Sequence, residues 1–250
     1  MISYWLHGWA TDSLIFKSVI DSLPSRLKAG VIALDLPGFG SASPLEDEET
    51  CFSRIISRLS RDNSKAGIGL VGWSMGAMVA LETAAGLGQR AAAVVLISAC
   101  ARFARGENNP YGKDRRILKL MSRRLSAAPQ EVLEDFFHGM FSPGSSMRWA
   151  NFKRDCLPRY RNQNREMLTQ GLDYLLRADL RPCLGRVSAP VLLIHGENDP
   201  VIDYRLAEEL AGALPNARLV KIEAGDHIPF WEAEERFAFL IGKFLEENAL

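Results

Sequence analysis

Five residues, Gly72-Trp73-Ser74-Met75-Gly76, constrain this chain more than any other stretch. The apolar run Ile68-Gly69-Leu70-Val71 leads into them, and the small-residue run Ala77-Met78-Val79-Ala80-Leu81 leads out. The first reads as a strand buried on both faces and the second as a helix. A serine between them rides on a sharp strand-to-helix turn, where side chains two positions to either side would collide. Glycine at 72 and 76 removes that collision. The hydroxyl then stands at a helix N-terminus, whose N–H groups and dipole favour negative charge. That is a place for a nucleophile.

The surrounding chain keeps the same rhythm. Ile2–Leu6, Gly30–Leu34, Ile68–Val71, Ala93–Ser98, Val191–His195 and Ala217–Ile222 are short apolar strand candidates. Amphipathic stretches at Ser13–Leu23, Glu46–Ser60, Met75–Leu87, Tyr204–Leu214 and Glu232–Glu247 alternate with them as helices. Such alternation predicts an α/β fold, a three-layer sandwich around a mostly parallel sheet of about six strands. The rhythm breaks between Ala101 and Pro182, where the chain is polar, basic and helical with no strand candidate. Helices are expected at Arg115–Leu125, Ala128–Gly139, Ser146–Tyr160 and Gln163–Leu176. Residues 101–182 therefore read as a helical lid inserted into a core made of 1–100 and 183–250, over the sheet edge where such folds bind ligands.

Charge sharpens that division. The chain carries 30 Lys/Arg and 30 Asp/Glu, yet sixteen basic residues against nine acidic ones fall between Ala101 and Pro182. A positive insertion on an acidic remainder suggests an anionic partner approaching from the lid side. With no excess of positive charge over the whole chain, no nucleic-acid partner is expected. Hydrophobic content of 47% and charged content of 24% are ordinary for a globular protein. No apolar stretch reaches the ~18 residues of a membrane span. The N-terminus lacks the basic start of a secretion signal. The cysteines (Cys51, Cys100, Cys156, Cys183) are widely spaced and read as free thiols in a reducing cytoplasm.

A serine hydroxyl needs a base, and the base needs a group to orient it. On this kind of fold the chain order is serine, acid, histidine. His138, His195 and His227 follow Ser74. His138 lies inside the lid, and His195 ends a strand as a structural side chain. His227, in the loop between the last strand and the last helix, is the expected base. Asp199, three residues past the turn glycine Gly196, is the expected acid, with Asp203 and Asp226 as alternatives. Asp203 suits a helix cap at Tyr204, and Asp226 adjoins the histidine and points elsewhere. The oxyanion donors should be the backbone N–H groups of Met75 and Trp9. Asp35-Leu36-Pro37-Gly38-Phe39-Gly40-Ser41 reads as a structural turn. No metal cluster, phosphate loop or dinucleotide fingerprint is visible, so no cofactor is expected.

Together, L-H-G-W at 6–9, D-L-P-G-F-G-S at 35–41, G-W-S-M-G at 72–76, H-G-E-N-D-P-V at 195–201 and G-D-H-I-P-F at 225–230 resemble the α/β-hydrolase superfamily over almost the whole chain. Trp9, Trp73, the stretch Leu172–Arg181 and His227–Phe230 resemble the pimeloyl-[acyl-carrier protein] methyl ester esterases of biotin synthesis. The chain departs from the fuller pattern by starting its H-G strand at Ile2 without a leading hairpin, and by Ala77 where glycine is frequent. The resemblance implies a serine carboxylesterase that removes methanol from the far end of an acyl chain and leaves a carboxylate. Trp9, Trp73, Phe137 and Phe141 would line the acyl site. Arg102, Arg115, Arg116, Arg123, Arg124 and Arg154 would dock an acidic carrier protein to a monomeric enzyme. A general small-ester esterase, with perhydrolase side activity, is the alternative reading; a non-catalytic binding protein of the same fold is the third.

Overall fold

The computed structural model describes residues 1–44, 54–55, 58–59 and 67–248. Six strands, β1 (Ile2–Leu6), β2 (Val31–Leu34), β3 (Ile68–Trp73), β4 (Ala91–Ile97), β5 (Val191–Gly196) and β6 (Ala217–Ile222), form one parallel sheet in the order β2-β1-β3-β4-β5-β6. Every residue of β3 and β5 is buried, while the edge strand β6 is mostly half-exposed. That difference explains why the inner strands are continuously apolar and β6 carries Arg218 and Lys221. Strand order reverses between β1 and β3. The crevice beyond their carboxyl ends is where an open parallel sheet binds ligands. Trp9 follows β1 there, and Ser74 follows β3.

Helices flank the sheet. The stretch expected as one helix over Ser13–Leu23 is a 3-10 turn (Ser13–Phe16) running into the short α1 (Lys17–Asp21), with Asp12 capping through Leu14 N–H at 3.0 Å. A further turn of helix, α2 (Ser25–Lys28), precedes β2. The Glu46–Ser60 expectation lies almost wholly outside the described residues. After the elbow comes α3 (Met75–Leu87), buried along almost its whole length and packed on β3 and β4. Its alanines allow that close approach. Nearer the C-terminus, α9 (Tyr204–Ala213) and α10 (Glu234–Glu247) complete the flanking layers.

Between β4 and β5 the chain forms α4 (Arg115–Leu125), α5 (Pro129–His138), α6 (Ser146–Asp155), α7 (Leu157–Tyr160) and α8 (Arg165–Arg177). The Ser146–Tyr160 expectation is thus broken in two. Pro158, at the start of α7, has no N–H to continue α6 and clashes with the preceding turn. These helices hold an aromatic core of their own, in which the Phe137 ring lies 5.4 Å from Phe152 and 5.6 Å from Tyr160. Helix α8 sits down on the loop after β1. Trp9 Nε1 donates to Leu168 O at 2.9 Å, and any Cβ on Gly171 would run into the Trp9 indole. Among the described residues no helix is long and apolar enough to cross a membrane.

Candidate active site

Ser74 has φ 56° and ψ −121°, a left-handed conformation that strains a residue with a side chain. The surroundings hold it there. Its N–H donates to Ile97 O at 2.9 Å, and its carbonyl accepts from Ala77 and Met78 N–H as the helix begins. A Cβ on Gly72 would come within 2.6 Å of Ala77 Cα, and one on Gly76 would overlap the carbonyl oxygens of Leu6 and His7. Those clearances are the physical reason for glycine on both sides of the serine.

His227 arrives from the loop after β6. His227 Nε2 lies 2.9 Å from Ser74 Oγ, and His227 Nδ1 lies 2.8 Å from Asp199 Oδ2 and 3.0 Å from Oδ1. Both partners are buried. Asp199 Oδ1 also accepts from Val201 N–H at 2.8 Å and Ile202 N–H at 2.9 Å. Burial works to raise its pKa, but the neighbouring imidazoles and their hydrogen bonds outweigh that and hold the carboxyl well below the usual carboxylate range. Of the two alternatives, Asp203 caps α9 through Arg205 N–H at 3.0 Å, and Asp226 turns away to pair with Arg148.

Two further sets of contacts hold these residues and form no part of the sequence expectations. His195 Nε2 lies 2.9 Å from Ile202 O and 3.2 Å from Asp199 Oδ2, so this strand-end histidine braces Asp199. The carbonyl of His227 accepts from Trp73 Nε1 at 2.8 Å and Ser98 Oγ at 2.9 Å. The H-x-x-x-D spacing of 195–199 was the available signal for the first; the second had none. Opposite the serine, the N–H groups of Trp9 and Met75 find no hydrogen-bond acceptor among the described residues. Met75 begins its helix, where N–H groups lack an intrahelical partner. The loop behind Trp9 is braced by His7, whose Nδ1 sits 2.8 Å from Gly8 O while Nε2 accepts Leu36 N–H at 2.8 Å. Burial pushes the His7 pKa down, in keeping with a neutral ring. Asp35 closes the 35–41 turn by accepting from the N–H groups of Ser13 and Ser41 and from the Ser41 hydroxyl, all at 2.8 Å. That loop is structural, as its sequence suggested.

Comparison with known proteins follows this geometry. The α/β hydrolase fold family matches residues 5–234. The chain belongs to the α/β-hydrolase family. It is similar to the pimeloyl-[acyl-carrier protein] methyl ester esterase of Nitrosomonas europaea, 32% identical over 93% of this chain and 90% of that one. It is also similar to the esterase of the same name from Chromobacterium violaceum, 27% identical over 98% and 94%. A solved esterase from Exiguobacterium antarcticum superposes with a TM-score of 0.85 at 21% identity, covering 98% of this chain and 92% of that one, which speaks to the fold.

This hydrolase holds a largely apolar cavity of about 310 Å³, walled by Trp9 and Val201 from the core and by Ile117, Leu120, Val132 and Phe136 among the residues of the inserted helices. A Cβ on Gly8, the neighbour of Trp9, would stand 3.3 Å from Ser74 Cβ, so the loop that carries Trp9 runs beside Ser74. Of the four apolar residues expected here, only Trp9 lines the cavity. Trp73 does not line it and is buried, with its indole donating to His227 O. Phe137 points into the aromatic core of the helices, and its neighbour Phe136 faces the cavity instead. Phe141 packs on Trp149 and Phe152. Lys113 also reaches the cavity wall, its ammonium 3.0 Å from Pro200 O and its pKa lowered by burial.

The arginines proposed for docking divide. Arg102 is half-buried against Asp179 at 3.4 Å, Arg124 pairs with Asp135 at 2.9 Å, and Arg154 pairs with Asp155 at 2.7 Å. Arg115 donates to Leu176 O at 3.1 Å. Arg116 and Arg123 are exposed on α4 with Lys119 between them. Positions 116, 119 and 123 share one helix face, beside the exposed Ile117 and Leu120 of the cavity mouth. Among the described residues no group of three or more His, Cys, Asp or Glu side chains is set to hold a metal ion.

Proposed function

We propose that this carboxylic ester hydrolase cleaves the methyl ester of an acyl chain, pimeloyl in the first instance, delivered by an acyl-carrier protein. One observation carries the chemistry: the continuous line Ser74 Oγ–His227 Nε2 at 2.9 Å and His227 Nδ1–Asp199 Oδ2 at 2.8 Å. Along it, His227 Nε2 takes the serine proton as Oγ attacks the ester carbonyl. The backbone N–H groups of Trp9 and Met75 receive the oxyanion. The imidazolium returns its proton to the departing methoxide, and methanol leaves. Water, deprotonated by the same imidazole, then cleaves the acyl-enzyme to a free carboxylate and restores Ser74. Asp199 stays ionised throughout and offsets the imidazolium charge.

Residues 101–182 act as the lid in this reading, over a core of 1–100 and 183–250. The apolar cavity under α4 and α5 supports an acyl occupant, and the names of the relatives support the pimeloyl substrate. The basic face at Arg116, Lys119 and Arg123 supports an acidic carrier. Free cysteines at 100, 156 and 183 support a reducing cytoplasm. A second reading, a general esterase for small esters, is favoured by the internal pairing of Arg102, Arg124 and Arg154.

Rates on a carrier-linked methyl ester and on the same ester on a small thiol separate the two. The carrier preference should shrink as salt is raised and on charge reversal at Arg116 and Arg123, because exposed charge pairs are screened. A ratio indifferent to both treatments leaves the small-ester reading standing.

A further inference from the structure

The loop that carries His227 is held from two sides, and the second side is not part of the sheet. Trp73 and Ser98 grip the His227 carbonyl from the core. From the inserted helices, Met140 O accepts His227 N–H at 3.1 Å, and Ser142 N–H donates to Asp226 Oδ1 at 2.8 Å. Arg148, on α6, then spends its whole guanidinium on this loop. Nη1 binds Asp226 Oδ2, Nη2 donates to Ile228 O at 3.1 Å and Trp231 O at 2.7 Å, and Nε lies 3.8 Å from Glu232 Oε2. These contacts flank the imidazole on both sides along the chain, and none of them involves Ser74.

We propose that Arg148 and Asp226 are positioning residues for His227, a clamp that ties the alignment of the base to the seating of α6. The inference rests on the reading of Ser74 and His227 as nucleophile and base. Two physical demands favour it. The imidazole must meet Ser74 and Asp199 at hydrogen-bond length at once, and a planar guanidinium fork fixes several acceptors in a geometry that a lysine ammonium cannot reproduce. Asp226 is also a fully buried carboxylate next to the base in sequence. Arg148 pairs with it, so the carboxylate adjoining His227 in sequence is turned away from the ring and Asp199 is the one that meets Nδ1.

The test uses the intact chain and two readouts: steady-state hydrolysis of p-nitrophenyl acetate and the rate of Ser74 labelling by a fluorophosphonate. Arg148→Ala should lower kcat about 10- to 100-fold with KM changed less than about twofold, since a misplacement of order 1 Å at the reacting groups costs that much. Labelling should slow in parallel. Arg148→Lys should recover part of the loss. Asp226→Asn keeps an acceptor for Ser142 N–H and should show the same kcat defect, and it stands in if Arg148→Ala does not fold. The Arg148→Ala/Asp226→Asn double variant should be no slower than the slower single, because both remove one clamp. Wild-type kcat and labelling in folded Arg148→Ala, a rise in KM alone, or multiplicative losses in the double variant would overturn the proposal. Ser74→Ala separates the two levels: labelling that persists in it sinks the nucleophile reading, whereas a silent Ser74→Ala beside fully active clamp variants sinks the clamp alone.

Discussion

The two halves of the site are held in different ways. The serine half is a matter of backbone: a positive-φ residue between two glycines, anchored by Ser74 N–H on Ile97 O. The histidine half is a matter of side chains, with Trp73, Ser98 and Arg148 converging on one loop from the sheet and the inserted helices. A serine fixed by its own turn tolerates little covalent change and needs little outside help. A histidine fixed by distant donors can be shifted without disturbing the fold.

The comparison can be broken first at the atom the two halves share. Ser74→Ala should reduce turnover about 10⁴-fold or more while leaving the structure intact, because the residual rate comes from binding and the oxyanion donors alone. Esterase assays on the purified variant check it. Gly76→Ala attacks the serine half by a single methyl. With carbonyl oxygens of Leu6 and His7 in the way, it should cost on the order of 3 kcal/mol in denaturant unfolding, the upper end of the usual overpacking range. Conservative changes on the histidine side, as at Arg148, should instead leave a folded but slow enzyme.

The smallest effect sharpens the contrast through pH. Hydrogen bonds from Ser13 and Ser41 outweigh the desolvation of Asp35 and hold its pKa down at about 2. A depressed carboxylate stabilises the fold above its unfolded pKa, and that contribution disappears as pH falls through the folded value. Between about pH 4 and pH 2 the wild type should therefore lose roughly 1 kcal/mol that Asp35→Asn does not, a figure kept low because Asp35 is partly solvated. Acid unfolding curves of the two proteins measure it.

Much of this was legible in residue order. The strands are continuously apolar because both faces of the inner sheet are covered, and α3 is alanine-rich because it lies against that sheet. Helix α4 fell at its expected limits, since Asp114 caps it and its apolar residues keep helical spacing. Ser146–Tyr160 was misread as continuous because its apolar spacing outweighed Pro158. Phe137 packs among the aromatic rings while Phe136 lines the cavity, for a different reason. Neighbours on a helix point about 100° apart, so choosing between Phe136 and Phe137 requires knowing how α5 is rotated.

Ser74, its glycines and the alternating sheet follow from residue order because collisions and periodicities act over a handful of neighbours. The twin donors on His227 O and the grip of Arg148 on Asp226 do not. They link positions some 80 to 150 residues apart, and hydrogen bonds act only at contact. Folding alone decides which distant donors reach an acceptor.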